Sequence, residues 1–92
     1  MEIRELRIKN AGPDGRAPCL RPMFTWRAPG AYDQFTVQVA SDPAFARLLL
    51  LRDTRERYLE FDSAPLNRDR TYYVRVRSGL GEWTCVEFLT EK

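Results

Sequence analysis

Residues 71–78, TYYVRVRS, alternate β-forming and charged side chains, and this pattern restricts the possible fold more than any other feature of the sequence. Successive side chains of a β-strand point to opposite faces, so a period of two indicates a strand with one buried and one exposed face. Burying an unpaired arginine would cost several kcal/mol, whereas burying a valine is favourable. The predicted core residues of this strand are Tyr72, Val74 and Val76. The residues predicted to face outward are Tyr73, Arg75 and Arg77.

Six further segments show a similar alternation, and turns rich in glycine or proline separate them. No segment is long enough, or apolar at the spacing of three and four residues, to predict a long helix. The predicted strands lie within residues 2–9, 23–28, 34–41, 47–53, 57–61, 71–78 and 82–90. In the first of them Ile3 is out of phase with Leu6 and Ile8, which predicts a β-bulge.

Seven short strands without a helical crossover predict an all-β fold, in which two antiparallel sheets bury one face of each strand. The prediction is a seven-stranded antiparallel β-sandwich, with an open barrel as the alternative. A chain of 92 residues is the size of a single domain, here residues 1–92. We expect Phe24, Trp26 and Phe35 among its core residues.

Composition excludes several classes of partner. Fifteen basic against thirteen acidic residues leave a net charge of +2, which does not indicate a dedicated nucleic-acid or anionic-membrane binder. No run approaches the roughly 20 apolar residues that span a bilayer. The charged start, MEIRELRIKN, lacks the apolar centre of a secretory signal, so the chain is expected to be cytoplasmic. A secreted chain trimmed of its signal would look the same.

The residues needed for most catalytic chemistry are missing. The chain has no histidine, which removes the commonest general base, the usual zinc ligand and every Ser-His or Cys-His pair. No glycine-rich phosphate loop occurs, and Cys19 and Cys85 are too far apart for a CxxC metal site. We therefore expect no enzymatic activity, cofactor or metal in this chain. The two thiols are expected to be buried or partly buried, and a disulfide remains open if the chain ends lie side by side.

Several motifs occur in the order typical of one family. They are FTWRAP around Trp26, YDQFTVQVASDPAF at residues 32–45, LNRDRTYYVRVRS with Leu66 six residues before Tyr72, and GEWTCVEFLT at residues 81–90. From about Phe24 to Thr90 the chain resembles a fibronectin type III domain. The resemblance implies an immunoglobulin-like topology, a core position for Trp26, and a corner tyrosine, Tyr72, bonded to upstream backbone.

One turn departs from this family pattern. Arg68 and Asp69 occupy positions where the family usually has proline and glycine. We therefore expect the side chains of Asn67 and Asp69 to hold this turn by hydrogen bonds to backbone.

The beginning of the chain adds a second resemblance. IRELRIKNAGPDGRAPCLRPMFTWR is similar to the opening of bacterial alpha-L-rhamnosidase-like proteins, in which a β-sandwich precedes the catalytic barrel. A similar module precedes some heparinase-like polysaccharide lyases. The motif N-P-L-G-I-D of the rhamnosidase group is replaced here by AGPDGRA. The resemblance implies a non-catalytic accessory module of a carbohydrate-processing enzyme, serving as spacer or in domain packing, with glycan contact open.

Two groups of residues are candidates for binding. Tyr73, Arg75 and Arg77 could share a sheet face with Gln34, Thr36 and Gln38, and aromatic and arginine residues are enriched at interfaces. The alternative is an outward face that alternates simply to stay soluble. Trp83, after the SGLG turn, could be a stacking platform for a sugar ring or could fold over the end of the sandwich and pack.

The segment RLLLLRD, residues 47–53, is the second candidate. A half-buried strand needs only two of its four leucines inside, so the other two are expected to face outward on an edge strand. The alternative is a local bend that buries all four. We take Leu49 and Leu51 as contact residues, with a neighbouring domain or a second copy of the chain as partner. The alternative function is therefore a protein-interaction module that associates through this edge strand. In one form of this alternative, two copies of the chain make a homodimer.

Overall fold

The computed structural model describes residues 3–12, 14–28, 34–79 and 81–92. The first two residues of the motif at residues 32–45, and Leu80 of the SGLG turn, lie outside the described residues. Each predicted segment corresponds to one strand, and the fourth strand extends one residue beyond its segment, to Thr54. The strands are β1 (Arg4–Ile8), β2 (Met23–Arg27), β3 (Phe35–Ala40), β4 (Leu48–Thr54), β5 (Tyr58–Glu60), β6 (Thr71–Ser78) and β7 (Thr84–Leu89).

The strands form two antiparallel sheets in the orders β1-β2-β5 and β4-β3-β6-β7. The predicted all-β sandwich is confirmed, and the barrel alternative is wrong because the strands separate into two sheets. This arrangement of three and four strands is consistent with an immunoglobulin-like, fibronectin type III topology. Sheet β4-β3-β6-β7 therefore has one face on the core and one face turned away from it, which we call the outer face.

The predicted bulge lies in β1. The pairing of β1 with β2 shifts register between Arg4 and Arg7, and Glu5 adopts the left-handed region with φ 53°. The extra residue changes the alternation, so that Ile3, Leu6 and Ile8 are all buried.

The core lies between the sheets and is formed mainly by aromatic and β-branched side chains. Trp26 is 4% exposed, and its ring meets that of Phe35 edge-on with centroids 5.7 Å apart. The rings of Phe24 and Phe88 make a similar contact at 5.4 Å. Burying each such side chain contributes roughly 1.5–3 kcal/mol, so this layer dominates stability. The largest fully buried aromatic and β-branched apolar side chains of the core are Phe24, Phe35, Phe61, Val37, Val39, Val74 and Val76.

The tyrosine corner predicted at Tyr72 is confirmed. The backbone N–H of Asn67, five residues upstream, donates a hydrogen bond to the Tyr72 hydroxyl at 2.9 Å. The buried hydroxyl of Thr90 completes the corner. Its Oγ1 donates to the Asn67 carbonyl at 2.6 Å and accepts the Arg70 N–H at 3.0 Å.

The turn before β6 is held differently from the sequence-based expectation. Asp69 takes the left-handed conformation, φ 54°, that a glycine would adopt at this position. Its carboxylate accepts a hydrogen bond from Arg16 Nη1 at 2.8 Å, and Asn67 contributes its backbone to the corner. The expectation that both side chains bond to the turn backbone is therefore wrong for the hydrogen bonds seen in the described residues.

Both cysteines are free and exposed. The expectation of buried or partly buried thiols is therefore wrong for Cys19, whereas the Cys85 thiol is exposed but partly desolvated by its surroundings. The disulfide left open by the sequence does not form. Cys85 pairs with Arg75 in the register of β7 with β6, which places Cys85 on the outer face of the sheet. Cys19 lies in the segment between β1 and β2.

Candidate functional site

The outer face of the four-stranded sheet gathers most of the candidate binding residues. In the register of β3 with β6, Thr36 pairs with Arg77 and Gln38 pairs with Arg75. Tyr73, Arg75 and Arg77 are half-buried on this face, while Tyr72, Val74 and Val76 are buried in the core. The predicted orientation of β6 is therefore confirmed.

The side chains of the outer face form a continuous stack. The guanidinium carbon of Arg75 lies 4.2 Å from the ring centroid of Phe45 and 4.2 Å from that of Trp83. The guanidinium carbon of Arg77 lies 4.5 Å from the Trp83 ring. The Tyr73 ring meets Phe45 edge-on at 6.5 Å. We call these five side chains the aromatic–arginine stack, in which each cation faces the negative side of a π-system.

Phe45 enters the stack because of a tight turn between β3 and β4. Its φ of 55° is left-handed, a conformation that costs a bulky residue about 1–2 kcal/mol and needs support from its surroundings. Asp42 supplies that support: its carboxylate accepts the N–H of Arg47 at 2.9 Å and of Ala46 at 3.1 Å. These backbone hydrogen bonds hold the pKa of Asp42 below its ordinary value, with the bond from Arg47 as the largest cause.

Polar side chains of β3 fix the outer face further. Arg75 Nε donates to Gln38 Oε1 at 2.7 Å, which orients the guanidinium between its two rings. Thr36 Oγ1 donates to Asp53 Oδ1 at 2.8 Å across the pair β3 and β4. These two hydrogen bonds tie side chains of β3 to β6 and to β4 across the outer face.

Trp83 packs against other side chains of the protein, which agrees with one of its two sequence-based interpretations. Its packing partners, however, are Arg75 and Arg77 on the outer face and not the end of the sandwich. The ring is half-buried by these contacts and does not need the end of the sandwich to cover it. An indole that already contacts two guanidinium groups offers less of its surface to a sugar than a free ring would.

The leucines of β4 are more exposed than expected. Leu50 alone is buried, at 3% exposure, while Leu48, Leu49 and Leu51 are 42%, 38% and 53% exposed. The register explains the difference, because Val39 pairs with Leu50 and Ala40 with Leu48. Leu49 is left as the extra residue of a bulge, so the expectation of two inward leucines is wrong. The expected edge position of β4 is confirmed.

Five of the six candidate residues therefore lie on one face. Leu51 pairs with Gln38 and so points to the outer face with the stack, whereas Leu49 lies at the bulge on the edge. Sequence reasoning missed Phe45, which sits at the end of the turn SDPAF and interrupts no alternating segment. An apolar residue directly after an Asp-Pro turn was the signal that could have found it.

One cavity of the described residues lies beside the core tryptophan. An open cavity of about 610 Å³ at one end of the sandwich is lined by Arg4, Glu5, Trp26, Arg27, Ala28 and Arg57. Its carboxylate, on Glu5, is about half exposed and lies 3.6 Å from a guanidinium nitrogen of Arg27. Nη2 of Arg57 donates a hydrogen bond to the carbonyl oxygen of Ala28 at 3.2 Å.

Neither a metal cluster nor a membrane-spanning helix is found in the described part of the chain. Within residues 3–12, 14–28, 34–79 and 81–92, no three acidic, cysteine or histidine side chains come together as metal ligands. Over the same residues there is no helix of the length and apolar character that crossing a membrane requires.

Comparison with known proteins finds no protein-family model and no curated protein that matches this chain.

Proposed function

We propose that the chain is a non-catalytic β-sandwich module that packs against a neighbouring protein domain through the outer face of sheet β4-β3-β6-β7. In this role it is an accessory domain of a larger protein. The observation that carries the proposal is the exposure of Leu48 and Leu51, at 42% and 53%, beside the aromatic–arginine stack.

The composition of the face supports a protein partner. Interface cores are enriched in aromatic residues and arginine, and well-packed anchors of these types supply most of the binding energy. Here such residues are already fixed by stacking and by the hydrogen bond from Arg75 to Gln38, so little side-chain entropy remains to be lost on binding. The flanking leucines supply apolar area that a partner would remove from water.

The outer face is a better docking surface than the β4 edge. Two β4 strands paired about a two-fold axis at Arg52 or Asp53 would bring identical charges directly opposite each other. A pairing centred on Leu50 or Leu51 would include the bulge at Leu49, which interrupts the hydrogen-bond ladder. Association through the edge, as a homodimer, therefore meets a charge or a bulge in each of these registers.

The identity of the larger protein rests on the sequence alone. The resemblance of residues 3–27 to the modules that precede rhamnosidase-like and heparinase-like catalytic domains supports a carbohydrate-processing enzyme. The cover that Arg75 and Arg77 give to Trp83 makes domain packing the better-supported role than direct glycan contact.

Cys85 is a natural reporter for this proposal because it lies on the outer face, opposite Arg75. Cys19, exposed between β1 and β2, is the matched control. The experiment compares maleimide labelling of single-thiol variants, Cys19→Ser and Cys85→Ser, in the 92-residue chain and in the full-length product of its gene. We expect Cys85 to label at least about tenfold more slowly in the full-length product, which corresponds to a covered state favoured by about 1.4 kcal/mol.

The same labelling rates supply the control and the result that would refute the proposal. Cys19 should label equally fast in both proteins. Equal labelling of Cys85 in both would refute the proposal. Light scattering of the 92-residue chain over a concentration range tests the homodimer, and a dimer that persists in Leu51→Ser would favour edge pairing over the outer face.

A further inference from the structure

We infer that the protein surface covering the outer face presents carboxylate groups to Arg75 and Arg77. This inference rests on the proposed function and adds the chemistry of the partner. Three features support it: other arginines of the described residues have carboxylate partners, aromatic rings hold Arg75 and Arg77 in place, and exposed leucines flank the face.

Arg75 and Arg77 differ from Arg16, the other half-buried arginine of the described residues, which lies 2.8 Å from Asp69 and 3.4 Å from Asp14. Among the exposed arginines of the described residues, four lie 2.9–3.6 Å from a carboxylate, namely Arg7, Arg27, Arg52 and Arg68. Within the described part of the chain, neither Arg75 nor Arg77 forms such an ion pair, although both are half-buried. The Arg77 Nε is buried and has no hydrogen-bond acceptor among the described residues.

The acidic residues of the same face do not fill this role. Asp53 accepts the hydroxyl of Thr36 at 2.8 Å, and Glu87 lies opposite Tyr73 in the register of β6 with β7. Two guanidinium groups that lose water to aromatic rings, and gain no carboxylate in return, are electrostatically incomplete. A partner that brings carboxylates would complete them.

Stacking also prepares the two side chains for this contact. An aromatic ring covers the flat face of a guanidinium and leaves the two terminal Nη groups at its edge available for parallel hydrogen bonds to a carboxylate, also where Nε donates to Gln38, as in Arg75. Arg75 is fixed between Phe45 and Trp83 at 4.2 Å from each. Because rotamer freedom is already lost, less of the interaction energy is spent on ordering the side chain.

The flank of the face decides which anionic macromolecule fits. Leu48 and Leu51 expose apolar area beside the arginines, and the chain as a whole carries only +2. A phosphate backbone needs an extended basic surface and gains nothing from leucines. A protein surface with one or two Asp or Glu residues inside an apolar patch satisfies both features.

The test measures Cys85 protection in the full-length gene product, in the Cys19→Ser background. Protection is the ratio of labelling rates of one variant in the 92-residue chain and in the full-length product, so effects of each substitution on the thiol itself cancel. We expect Arg75→Gln and Arg77→Gln each to reduce protection about tenfold or more, as loss of a hydrogen-bonded charge pair does. Arg75→Lys and Arg77→Lys, which keep the charge without the planar fork, should retain part of it.

The control is Arg4→Gln, which removes the same charge from the opposite sheet and should leave protection unchanged; thermal unfolding checks that each variant folds. If protection persists in both glutamine variants, the carboxylate inference is overturned while the proposed function stands. If the wild-type protein shows no protection, the proposed function fails first and this inference fails with it. Protection that disappears on nuclease treatment would assign the cover to nucleic acid and also overturn the inference.

Discussion

Replacing Phe45 with alanine tests how the turn between β3 and β4 builds the outer face. The ring is 8% exposed, contacts Arg75 at 4.2 Å and meets Tyr73 edge-on. Removing a phenylalanine that is almost fully buried costs about 1.5–3 kcal/mol of transfer free energy. The lost contact with the guanidinium adds about 0.5–1 kcal/mol. Because the ring lies on an outer face, no closed cavity remains and no cavity cost is added.

The expected loss for Phe45→Ala is therefore about 2–4 kcal/mol, a large share of the roughly 5–14 kcal/mol typical of a domain this size. The left-handed φ of 55° gives a second, sharper expectation. Alanine in that conformation is strained by about 1–2 kcal/mol, whereas glycine is not. Phe45→Gly should thus be more stable than Phe45→Ala, by up to about 1 kcal/mol once the greater unfolded-state entropy of glycine is allowed for.

Urea denaturation followed by tryptophan fluorescence measures both variants, with the free energy of unfolding taken by linear extrapolation. The matched control is Ala46→Gly in the same turn. Ala46 is not among the described residues with positive φ, and glycine there should destabilise. If Phe45→Ala costs less than about 0.5 kcal/mol, or if the glycine variant is clearly the weaker one, Phe45 does not hold the turn in a left-handed conformation.

Three further predictions concern the corner, the turn and the thiols. Tyr72→Phe removes the acceptor of the Asn67 N–H and should cost about 1 kcal/mol, a fall of about 4–8 °C in thermal midpoint; an unchanged midpoint would contradict the corner. The pKa of Asp42 is lowered, so its contribution to stability is present above its unfolded-state pKa and is lost as pH falls through the folded-state pKa. Acid titration of Asp42→Asn should accordingly show a flatter loss of stability below about pH 4, and an identical acid limb would be contrary to this. The pKa of the Cys85 thiol is raised, mainly by partial burial and against the opposing influence of the Arg75 guanidinium. Cys85 should therefore label more slowly than Cys19 near neutral pH, and faster labelling of Cys85 would contradict this prediction.

The sandwich could be predicted because the alternation that defines each strand lies within a few consecutive residues. Alternation in residues 71–78 fixes which side of β6 is buried, since a one-residue slip would move two arginines into the core. The out-of-phase Ile3 likewise revealed the β1 bulge. Tyr72 could be placed because Leu66 stands six residues before it, a spacing that resembles the corner of fibronectin type III domains.

The leucine segment of β4 could not be resolved in this way. Four consecutive leucines carry no alternation, so the choice of Leu50 as the inward residue depends on the register with β3. That register shifts at the bulge in β4, where Leu49 is the extra residue opposite Val39 and Ala40. Such a bulge is a property of two paired strands and not of either one alone.

The aromatic–arginine stack could be predicted only in part. Tyr73, Arg75 and Arg77 could be assigned to the outer face, and Trp83 was a candidate for packing. Their meeting with Phe45 requires the turn at residues 41–47 to fold back over the sheet, and that depends on a left-handed residue stabilised by Asp42. A long-range contact of this kind leaves no periodic trace in the sequence.

Labelling of Cys85 against Cys19 in the full-length gene product is the most direct measurement of whether the outer face is an interface. The structure predicts slow labelling of Cys85 there, fast labelling of the same thiol in the 92-residue chain, and an unchanged rate for Cys19. A Cys85 thiol that reacts equally fast in both proteins would contradict the central claim that another protein domain covers this face.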